Sequence, residues 1–357
     1  MTRRKLLKWF GLSQIAALLG GILWTKTKQK TNQYYTGPES DHYDGRVFFN
    51  PNGVAPGSFS DLLKWQMQTK DKAKWPDQFD SAHSGTKPAP RLEKQALVVT
   101  LIGHATFLIQ VNGLNIITDP VFSLRVSPVS FAGPKRVNPP GVTFENLPKI
   151  DVILLTHSHY DHFDTMTLQK LVKRDNPKII TPLGNDTILH DAITGADVQT
   201  GDWGDIIEIT GGTKIHFEPC HHWSARTTYD RRMALWAAFV IETDDKRIYH
   251  IGDTGFHAGI NYKTAAQKYG SFDLAILPIG AYAPRWFMKG QHQNPDEAVE
   301  GFKLCNATHA LGHHWGTFQL TNEPIEEPKH ALTKALADNG IEKDRFIAMS
   351  PGQVWRI

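Results

Sequence analysis

The feature that most constrains this chain is a histidine-rich heptapeptide, Thr-His-Ser-His-Tyr-Asp-His, at residues 156–162. It follows the apolar run 152–155, which predicts a buried strand. Asp164, just after it, is a suitable N-cap for a helix that begins at the next residue. Three imidazoles and one carboxylate therefore lie where a strand ends and a loop begins.

The spacing within this cluster predicts a metal centre. Side chains two residues apart point the same way in extended backbone, so His157 and His159 can bind one metal ion. Asp161 and His162 lie where the chain turns and can face a second ion beside the first. Imidazole and carboxylate groups suit zinc in a hydrolytic site. The alternative is a polar loop that is rich in histidine by chance.

Length and composition set wider limits. The 357 residues are 40% hydrophobic, which is enough for a large core in one big domain or two. The formal net charge of +3 is too small to indicate a nucleic-acid partner. Two cysteines, Cys220 and Cys305, cannot make a disulfide framework.

Residues 1–30 have the pattern of a targeting segment rather than of a folded domain. Four basic residues within 3–8 precede an apolar stretch, 9–24, and resemble a twin-arginine export signal. No A-x-A cleavage site is visible, which favours a retained membrane anchor and a membrane-associated protein exported to the periplasm or cell envelope. The apolar run is short for a span of about 20 residues. A basic amphipathic helix on the cytoplasmic face is the alternative.

Residues 31–95 are polar and rich in proline and glycine, and we interpret them as an N-terminal arm. Within it, 46–51 predicts a short strand or an extended arm, and 61–67 predicts an amphipathic helix. The arm is expected to pack on the main domain, residues 96–357, and the alternative is a cover over an apolar substrate groove. The main domain is rich in short strands, and Asn-Gly at 112–113 predicts a hairpin turn. Residues 280–292 are expected to form a loop after a buried strand at 274–279.

Further candidate ligands follow other predicted strands. Histidine pairs at 221–222 and 313–314 each precede a tryptophan, and position alone leaves open which member of each pair binds a metal. Asp253, framed by Gly252 and Gly255 at a strand end, can reach two metal ions at once.

Together these motifs resemble the metallo-β-lactamase fold and, more narrowly, the N-acyl-phosphatidylethanolamine-hydrolysing phospholipase D family. The similarity runs from about residue 40 to the C-terminus. The run 279–289 is specific to that family within the fold. The stretches that carry the resemblance are 101–109, 127–136, 156–164, 219–223, 252–255, 278–292 and 314–318.

The resemblance implies a fold class and a ligand set. The fold would be α/β (α+β), an αββα sandwich preceded by the arm. The family places its ligand directly before the tryptophan, which favours His222 over His221 and His314 over His313. Two Zn²⁺ ions are expected, one held by His157, His159 and His222, the other by Asp161, His162 and His314, with Asp253 bridging them.

The same resemblance implies roles for residues around the ligands. Asp119 is at the place where the fold usually braces the metal loop, although a plain aspartate at a strand end is the alternative. His292 matches a family histidine near the metals that is implicated in substrate handling. His292, or a metal-bound acid such as Asp161, is expected to serve the leaving group.

The function implied is a zinc-dependent phosphodiesterase of phospholipase D type. It would hydrolyse N-acyl-phosphatidylethanolamine-like phospholipids at a membrane surface to phosphatidic acid and N-acylethanolamine. One alternative is a hydrolase of the same fold that acts on a lactone, a soluble phosphodiester or a nucleic acid; the weak net charge argues against the last. Another is a non-catalytic metal-binding envelope protein. The sequence does not predict an oligomeric state.

Overall fold

Two seven-stranded β-sheets lie face to face in the structure, a computed structural model that describes residues 31–68 and 72–357. Helices cover the outer face of each sheet, so the layers follow the order αββα that the sequence predicted. This confirms the predicted fold class. The predicted export signal or anchor, residues 1–30, lies outside the described residues.

The first sheet comes mainly from the N-terminal half of the main domain. Its strands are β1 (Leu97–Gly103), β2 (Thr106–Val111), β3 (Leu114–Thr118), β4 (Val152–Leu154), β5 (Lys178–Pro182), β6 (Asp197–Gly201) and β14 (Val354–Arg356). Their order across the sheet is β14-β1-β2-β3-β4-β5-β6. Strands β3 to β6 pair in parallel, so the loops that follow β3, β4 and β5 leave the same edge.

The second sheet comes from the C-terminal half. Its strands are β7 (Ile206–Ile209), β8 (Thr213–Glu218), β9 (Ala238–Glu242), β10 (Arg247–His250), β11 (Phe272–Pro278), β12 (Ala307–His313) and β13 (Phe346–Ala348). Their order across the sheet is β13-β12-β11-β10-β9-β8-β7. Strands β10 to β13 pair in parallel, which again places several loops at one edge.

The helices of the described ranges are short and belong to the outer layers and the arm. They are α1 (Phe59–Met67), α2 (Thr165–Asp175), α3 (Asn185–Ala192), α4 (Ile260–Tyr269), α5 (Arg285–Met288), α6 (Pro295–Leu304) and α7 (Glu327–Asp338). Asp164 caps α2 by accepting from the backbone of Met166 and Thr167, as predicted. Among the described residues, no helix has the length and apolar character that crossing a membrane requires.

Three apolar layers hold the sandwich together. The central layer joins the two sheets through fully buried side chains such as Phe107, Phe217 and Phe239. A second layer packs α2 and α3 against the first sheet, and a third packs α4, α6 and α7 against the second. Burial of each such side chain contributes roughly 1.5–3 kcal/mol. Both cysteines are buried and unpaired.

The N-terminal arm packs along the second sheet and over one end of the sandwich. The buried side chain of Asn32 donates to the Met233 carbonyl at 2.7 Å, and Trp75 Nε1 donates to the Glu323 carbonyl at 2.9 Å. The predicted amphipathic helix is confirmed as α1, which begins two residues earlier than expected. The domain boundary at residue 95 stays a prediction.

One local prediction needs correction. Residues 280–292 were expected to form a loop, but they contain the short helix α5. Four residues are too few for an apolar period to be recognised in a sequence. By contrast, the Asn112–Gly113 turn joins β2 to β3 with φ angles of 50° and 71°, as the hairpin prediction requires.

Candidate metal centre

The candidate ligands lie on loops at the carboxyl ends of four strands, and the two sheets both contribute. The cluster at 157–162 follows β4, His222 follows β8, Asp253 follows β10 and His314 follows β12. Gly252 has a φ of +66°, and a Cβ atom there would lie 3.0 Å from the Thr156 side chain. Glycine therefore allows the Asp253 loop to approach the histidine loop closely.

Three histidines form the first group. His157 Nε2 lies 2.8 Å from His159 Nδ1, and His222 Nε2 lies 3.2 Å from the same atom. Burial, together with the neighbouring imidazoles, lowers the pKa of His159 to about 3. Burial also lowers the pKa of His222 to about 4. Burial and the neighbouring imidazoles also hold the pKa of His157 well below its usual value. All three rings are thus neutral at pH 7, the state in which imidazole binds a metal.

The second group surrounds a carboxylate. Asp161 Oδ2 lies 3.5 Å from His162 Nε2 and 3.3 Å from His314 Nε2. His104 Nε2 lies 2.9 Å from the same oxygen, and this histidine was not predicted as a site residue. His104 follows strand β1 and lies within the stretch 101–109, which carries part of the family resemblance. That resemblance is the signal that could have identified His104 as a site residue.

Asp253 lies between the two groups. Its Oδ2 atom is 3.0 Å from His314 Nε2, 3.2 Å from His162 Nε2 and 3.8 Å from His222 Nε2. The side chain is 2% exposed, and Oδ1 has no hydrogen-bond partner among the described residues. This is the position that a bridging carboxylate requires. The seven predicted ligands therefore meet in one buried cluster, and their binding of metal stays a prediction.

Hydrogen bonds behind the rings orient the free nitrogen of two histidines toward the cluster. The Thr156 hydroxyl donates to Asp119 Oδ2 at 2.7 Å, so its oxygen accepts from His157 Nδ1 at 2.9 Å. His162 Nδ1 donates to the same Asp119 oxygen at 2.7 Å. Both Nε2 atoms then face the cluster. Asp119 is thus a brace for the histidine loop, rather than a plain strand end.

His222 is oriented in the same way by main chain. Its Nδ1 atom donates to the Gln291 carbonyl at 3.1 Å, which leaves Nε2 directed at His159. The rival, His221, lies elsewhere. Its ring stacks on His257 at 4.0 Å between centroids, and its Nδ1 atom accepts from Asn261 at 2.8 Å. The geometry favours His222 as the ligand, as the resemblance implied.

The other rival, His313, also points away from the cluster. It ends β12 fully buried, with its ring 5.7 Å from the rings of both Phe107 and His250. His314, the next residue, has a φ of 66°, and this left-handed conformation turns its ring toward Asp161 and Asp253. A non-glycine residue with positive φ costs energy and is often found at functional sites.

The electrostatics of the cluster fit a cation. Burial opposes protonation of His162 and His314, but Asp253 and Asp161 outweigh it and raise the pKa of His314 to about 9. The same carboxylates, with Asp119, hold the pKa of His162 well above its usual value. Two buried carboxylates thus attract positive charge, which a metal ion would supply in place of protons. The donors are the imidazole and carboxylate groups that suit zinc.

A cavity of about 250 Å³ opens directly on the cluster. His292 lines it, with Nδ1 at 4.0 Å from Asp253 Oδ2 and its ring 5.1 Å from that of His222. His292 therefore lies beside the candidate ligands, and its catalytic role stays a prediction. Part of the lining is an apolar wall that comes largely from the arm and from α5, through Leu62, Trp65, Phe287 and Met288.

Comparison with known proteins identifies the family. Residues 114–315 match the model of the β-lactamase superfamily domain. The chain is 35% identical over 334 residues to N-acyl-phosphatidylethanolamine-hydrolysing phospholipase D 1 of Caenorhabditis elegans, a match that covers 87% of this chain and 93% of the worm protein. It is 34% identical over 251 residues to the mitochondrial enzyme of that name from Saccharomyces cerevisiae, covering 69% of this chain and 53% of the yeast protein.

A solved structure agrees on the fold. A metallo hydrolase from the archaeon Ignicoccus hospitalis superposes with a TM-score of 0.55 at 21% identity, covering 73% of this chain and 98% of the other. Membership of a hydrolase family makes the non-catalytic alternative wrong. The chain is therefore a metal-dependent hydrolase of the metallo-β-lactamase superfamily and belongs to the family of the worm N-acyl-phosphatidylethanolamine-hydrolysing phospholipase D.

Proposed function

We propose that this protein is a zinc-dependent phosphodiesterase of phospholipase D type, which hydrolyses N-acyl-phosphatidylethanolamine-like lipids to phosphatidic acid and N-acylethanolamine. One observation carries the proposal beyond the family level: a single cavity is lined both by candidate ligands and by the apolar side chains of the arm and of α5. A headgroup phosphodiester would lie at the cluster, while the acyl chains would contact the wall.

The ligand set supports two zinc ions. His157, His159 and His222 would hold one, and Asp161, His162 and His314 the other, with Asp253 shared between them. Zinc at these positions would supply Lewis acidity, which polarises a phosphoryl group and lowers the pKa of a water molecule to about 7.

Other residues of the cavity would position the substrate. Arg231 lines the cavity, with its guanidinium 4.5 Å from the Trp223 ring and its Nη2 donating to the Gly57 carbonyl at 2.8 Å. It therefore places a fixed positive charge beside the cluster, which suits an anionic headgroup.

The two predicted catalytic residues would differ in their protonation. Burial holds the pKa of His292 well below its usual value, so the neutral ring carries one N–H, which can donate a hydrogen bond to the leaving oxygen. For Asp161, burial favours the neutral acid, but His162 and hydrogen bonds from His104 and His314 outweigh it. The pKa of Asp161 is therefore well below its usual value, so the group is an ionised carboxylate, which suits a metal ligand rather than a proton donor.

The lipid substrate also motivates a membrane location. Residues 1–30, with their basic and apolar sequence, would hold the enzyme at the surface where such lipids are found. Deletion of residues 1–30 is expected to preserve hydrolysis of a soluble short-chain phosphodiester but to weaken activity on vesicles. Equal rates on vesicles with and without the segment would contradict this location.

One experiment tests the function. The full chain, with zinc content measured by native mass spectrometry, is assayed on N-acyl-phosphatidylethanolamine, a lactone and a bis-aryl phosphodiester. We expect about two zinc ions per chain, as in two-metal hydrolases, and highest kcat/KM for the lipid. Preference for the lactone, or full activity with one ion or none, would overturn the proposal. The Asp253→Asn variant, which changes the shared ligand alone, should lose activity on all three substrates.

A further inference from the structure

His104 contacts the second group of candidate ligands from the first sheet. It directly follows β1 and is 1% exposed, although its side chain is polar. Its Nε2 atom lies 2.9 Å from Asp161 Oδ2. Burial of a polar group costs stability unless the group is hydrogen-bonded. The contact with Asp161 therefore gives a reason for a histidine at this buried position.

The hydrogen bond between His104 and Asp161 has a fixed direction. An ionised carboxylate only accepts, so His104 Nε2 carries the proton and donates it. Two other imidazoles lie near the same oxygen, those of His162 at 3.5 Å and His314 at 3.3 Å. Both are candidate ligands, and a nitrogen that binds a metal ion carries no proton. Once an ion is bound, His104 is therefore the imidazole of these three that still donates to Asp161.

The main chain of His104 contacts a second candidate ligand. The N–H of His314 donates to the His104 carbonyl at 3.1 Å, and the two rings lie 4.0 Å apart between centroids. The N–H of His104 donates in turn to Thr317 Oγ1 at 3.2 Å. His104 is thus bonded at three points to the loops that carry Asp161 and His314.

The backbone of His104 has an uncommon conformation. Its φ angle is 56° and that of His314 is 66°, so both members of this pair are in the left-handed region. Side chains other than glycine disfavour this region, and residues held in it cluster at functional sites. The Phe318 ring packs edge-on against the His104 ring, with 5.3 Å between centroids. These contacts hold the imidazole with Nε2 at Asp161.

The contacts of His104 favour one of the two ligand groups. Its ring lies close to those of His162 and His314, which belong to the second group. Within the part of the chain that the structure describes, His104 makes no hydrogen bond or ring contact with the first group, His157, His159 and His222. A change at His104 should therefore affect the two predicted ions unequally.

We propose that His104 is a positioning residue for the second metal ion. Its Nε2–H holds the Asp161 carboxylate and its carbonyl holds His314, so that both ligands reach the same ion. This role deepens the proposed function, because it rests on the two-ion centre stated there. Removal of the Nε2–H should weaken binding of the second ion and spare the first. Loss of a group that orients a ligand typically lowers metal affinity about 10–100-fold.

Two variants separate the hydrogen bond from the volume of the ring. His104→Phe keeps a ring of similar size without a donor. His104→Gln offers an amide N–H that can reach the place of the imidazole Nε2. The matched control is His250→Phe, the same substitution at a fully buried histidine that ends β10. The ring nitrogens of His250 have no hydrogen-bond partner among the described residues.

Zinc binding is the readout. Native mass spectrometry of each full-length protein measures zinc per chain, and competition with a chelating indicator measures the affinity of each step. We expect about two ions in wild type and in His250→Phe. In His104→Phe the second affinity should fall about 10–100-fold and the first should stay within a few-fold of wild type. His104→Gln should recover most of the second affinity.

Three results would overturn the proposal. The first is unchanged affinity for both ions in His104→Phe, and the second is equal weakening of both ions. The third is a His104→Gln variant as deficient as His104→Phe, because the ring would then serve packing or bind the ion itself. Thermal unfolding without metal shows whether each variant folds. If His104→Phe does not fold, His104→Asn replaces it, because asparagine tolerates the left-handed backbone and its shorter amide does not reach Asp161.

The zinc measurements do not depend on the reaction. A wild type that binds two ions and leaves N-acyl-phosphatidylethanolamine intact would count against the proposed function alone, and the comparison of His104 variants would still decide the role of His104. A wild type that binds fewer than two ions would overturn both proposals.

Discussion

The side-chain amide of Asn50 donates a hydrogen bond to the main-chain carbonyl of His222, 2.9 Å away and 172 residues later in the chain. Its Oδ1 atom accepts from Trp236 Nε1 at 3.1 Å. The arm also contacts the residue that orients the His222 ring. The main-chain carbonyl of Gln291 accepts from His222 Nδ1, and the side-chain Nε2 of Gln291 donates to the Val54 carbonyl at 2.8 Å. The arm therefore supports the loops that orient a candidate metal ligand.

The first prediction concerns this support. Replacing Asn50 by Ala should weaken zinc binding by about 10–100-fold, the usual effect of losing a group that orients a ligand. The reason is that the His222 carbonyl loses its partner and the loop after β8 becomes free to move. Competition with a chelating indicator measures the affinity. Asn112→Ala is the matched control, because Asn112 Nδ2 also bonds a distant carbonyl, that of Gly211 at 2.9 Å. Equal zinc affinity in the two variants would contradict the prediction.

The second prediction separates neighbouring histidines. His222→Ala should lose one zinc ion and activity, whereas His221→Ala should keep both. Loss of the hydrogen bond between His221 and Asn261 should cost stability of about 1 kcal/mol. Zinc analysis, kcat/KM and thermal unfolding of both variants measure this contrast. A folded but inactive His221→Ala variant would show that the ligand assignment is wrong by one residue.

The same contrast applies to the end of β12. His314→Ala should lose zinc and activity, because its Nε2 atom approaches both Asp161 and Asp253. His313→Gln, which keeps a polar side chain of similar size in the core, should retain both. The opposite result would place the wrong member of the pair in the metal centre.

The third prediction concerns the brace behind the histidine loop. Asp119→Asn should reduce zinc affinity about 10–100-fold, because the amide can present N–H to His162 Nδ1 and favour the wrong tautomer. Asp151→Asn is the control at the opposite end of β4, where Asp151 bonds Arg91 at 2.7 Å. Zinc affinity that falls equally in both variants would mean that the effect is one of general stability.

These results show what the sequence could predict. The sequence identified four candidate ligands because their geometry depends on one local strand end, which an apolar run predicts. They are His157, His159, Asp161 and His162. His104 was missed because its distance to Asp161 depends on how β1 lies in the sheet. A single histidine after a strand carries no local sign of that contact.

The support from the arm was missed for a different reason. The bonds of Asn50 and Gln291 involve main-chain carbonyls, and any residue type offers such a carbonyl. No sequence pattern therefore marks the partner. The sequence presented packing on the domain and covering a groove as alternatives for the arm. The structure shows the packing, and it also shows that Leu62 and Trp65 form part of the cavity wall.

The fourth prediction tests the apolar wall. Phe287→Ser should lower kcat/KM for a long-chain lipid about tenfold more than for a short-chain diester, because burial of such a ring contributes roughly 1.5–3 kcal/mol. Trp286→Ser should have a smaller selective effect on soluble substrates, since Trp286 lies on the rim and is half-exposed. Equal losses on long and short chains for Phe287→Ser would mean that the wall is structural.

The fifth prediction concerns pH. His42 of the arm lies 2.7 Å from Asp202 and 2.6 Å from Asp41. Burial lowers its pKa, but hydrogen bonds to these carboxylates outweigh burial and raise it above 6.5. A raised folded-state pKa stabilises the fold below the unfolded value, and this contribution is lost as pH rises through the folded value. Asp41 is 87% exposed, so most of the effect should come from Asp202.

The thermal unfolding of wild type and His42→Gln, measured from about pH 6 to about pH 9, checks this sign. The wild-type advantage should be largest at the acidic end and should decrease with rising pH. In an Asp202→Asn background the decrease should largely disappear. An advantage that grows with pH would contradict the assignment.

The distribution of the candidate ligands between the two sheets has a consequence for how the protein is made. Each group takes two ligands from the loop after β4, in the first half of the chain, and one from a loop of the second half; the shared Asp253 also comes from the second half. Neither half can complete either group by itself. A bound ion would therefore cross-link the two layers. Because each group needs ligands from both halves of the chain, uptake of the ion would indicate that the two halves had packed together correctly.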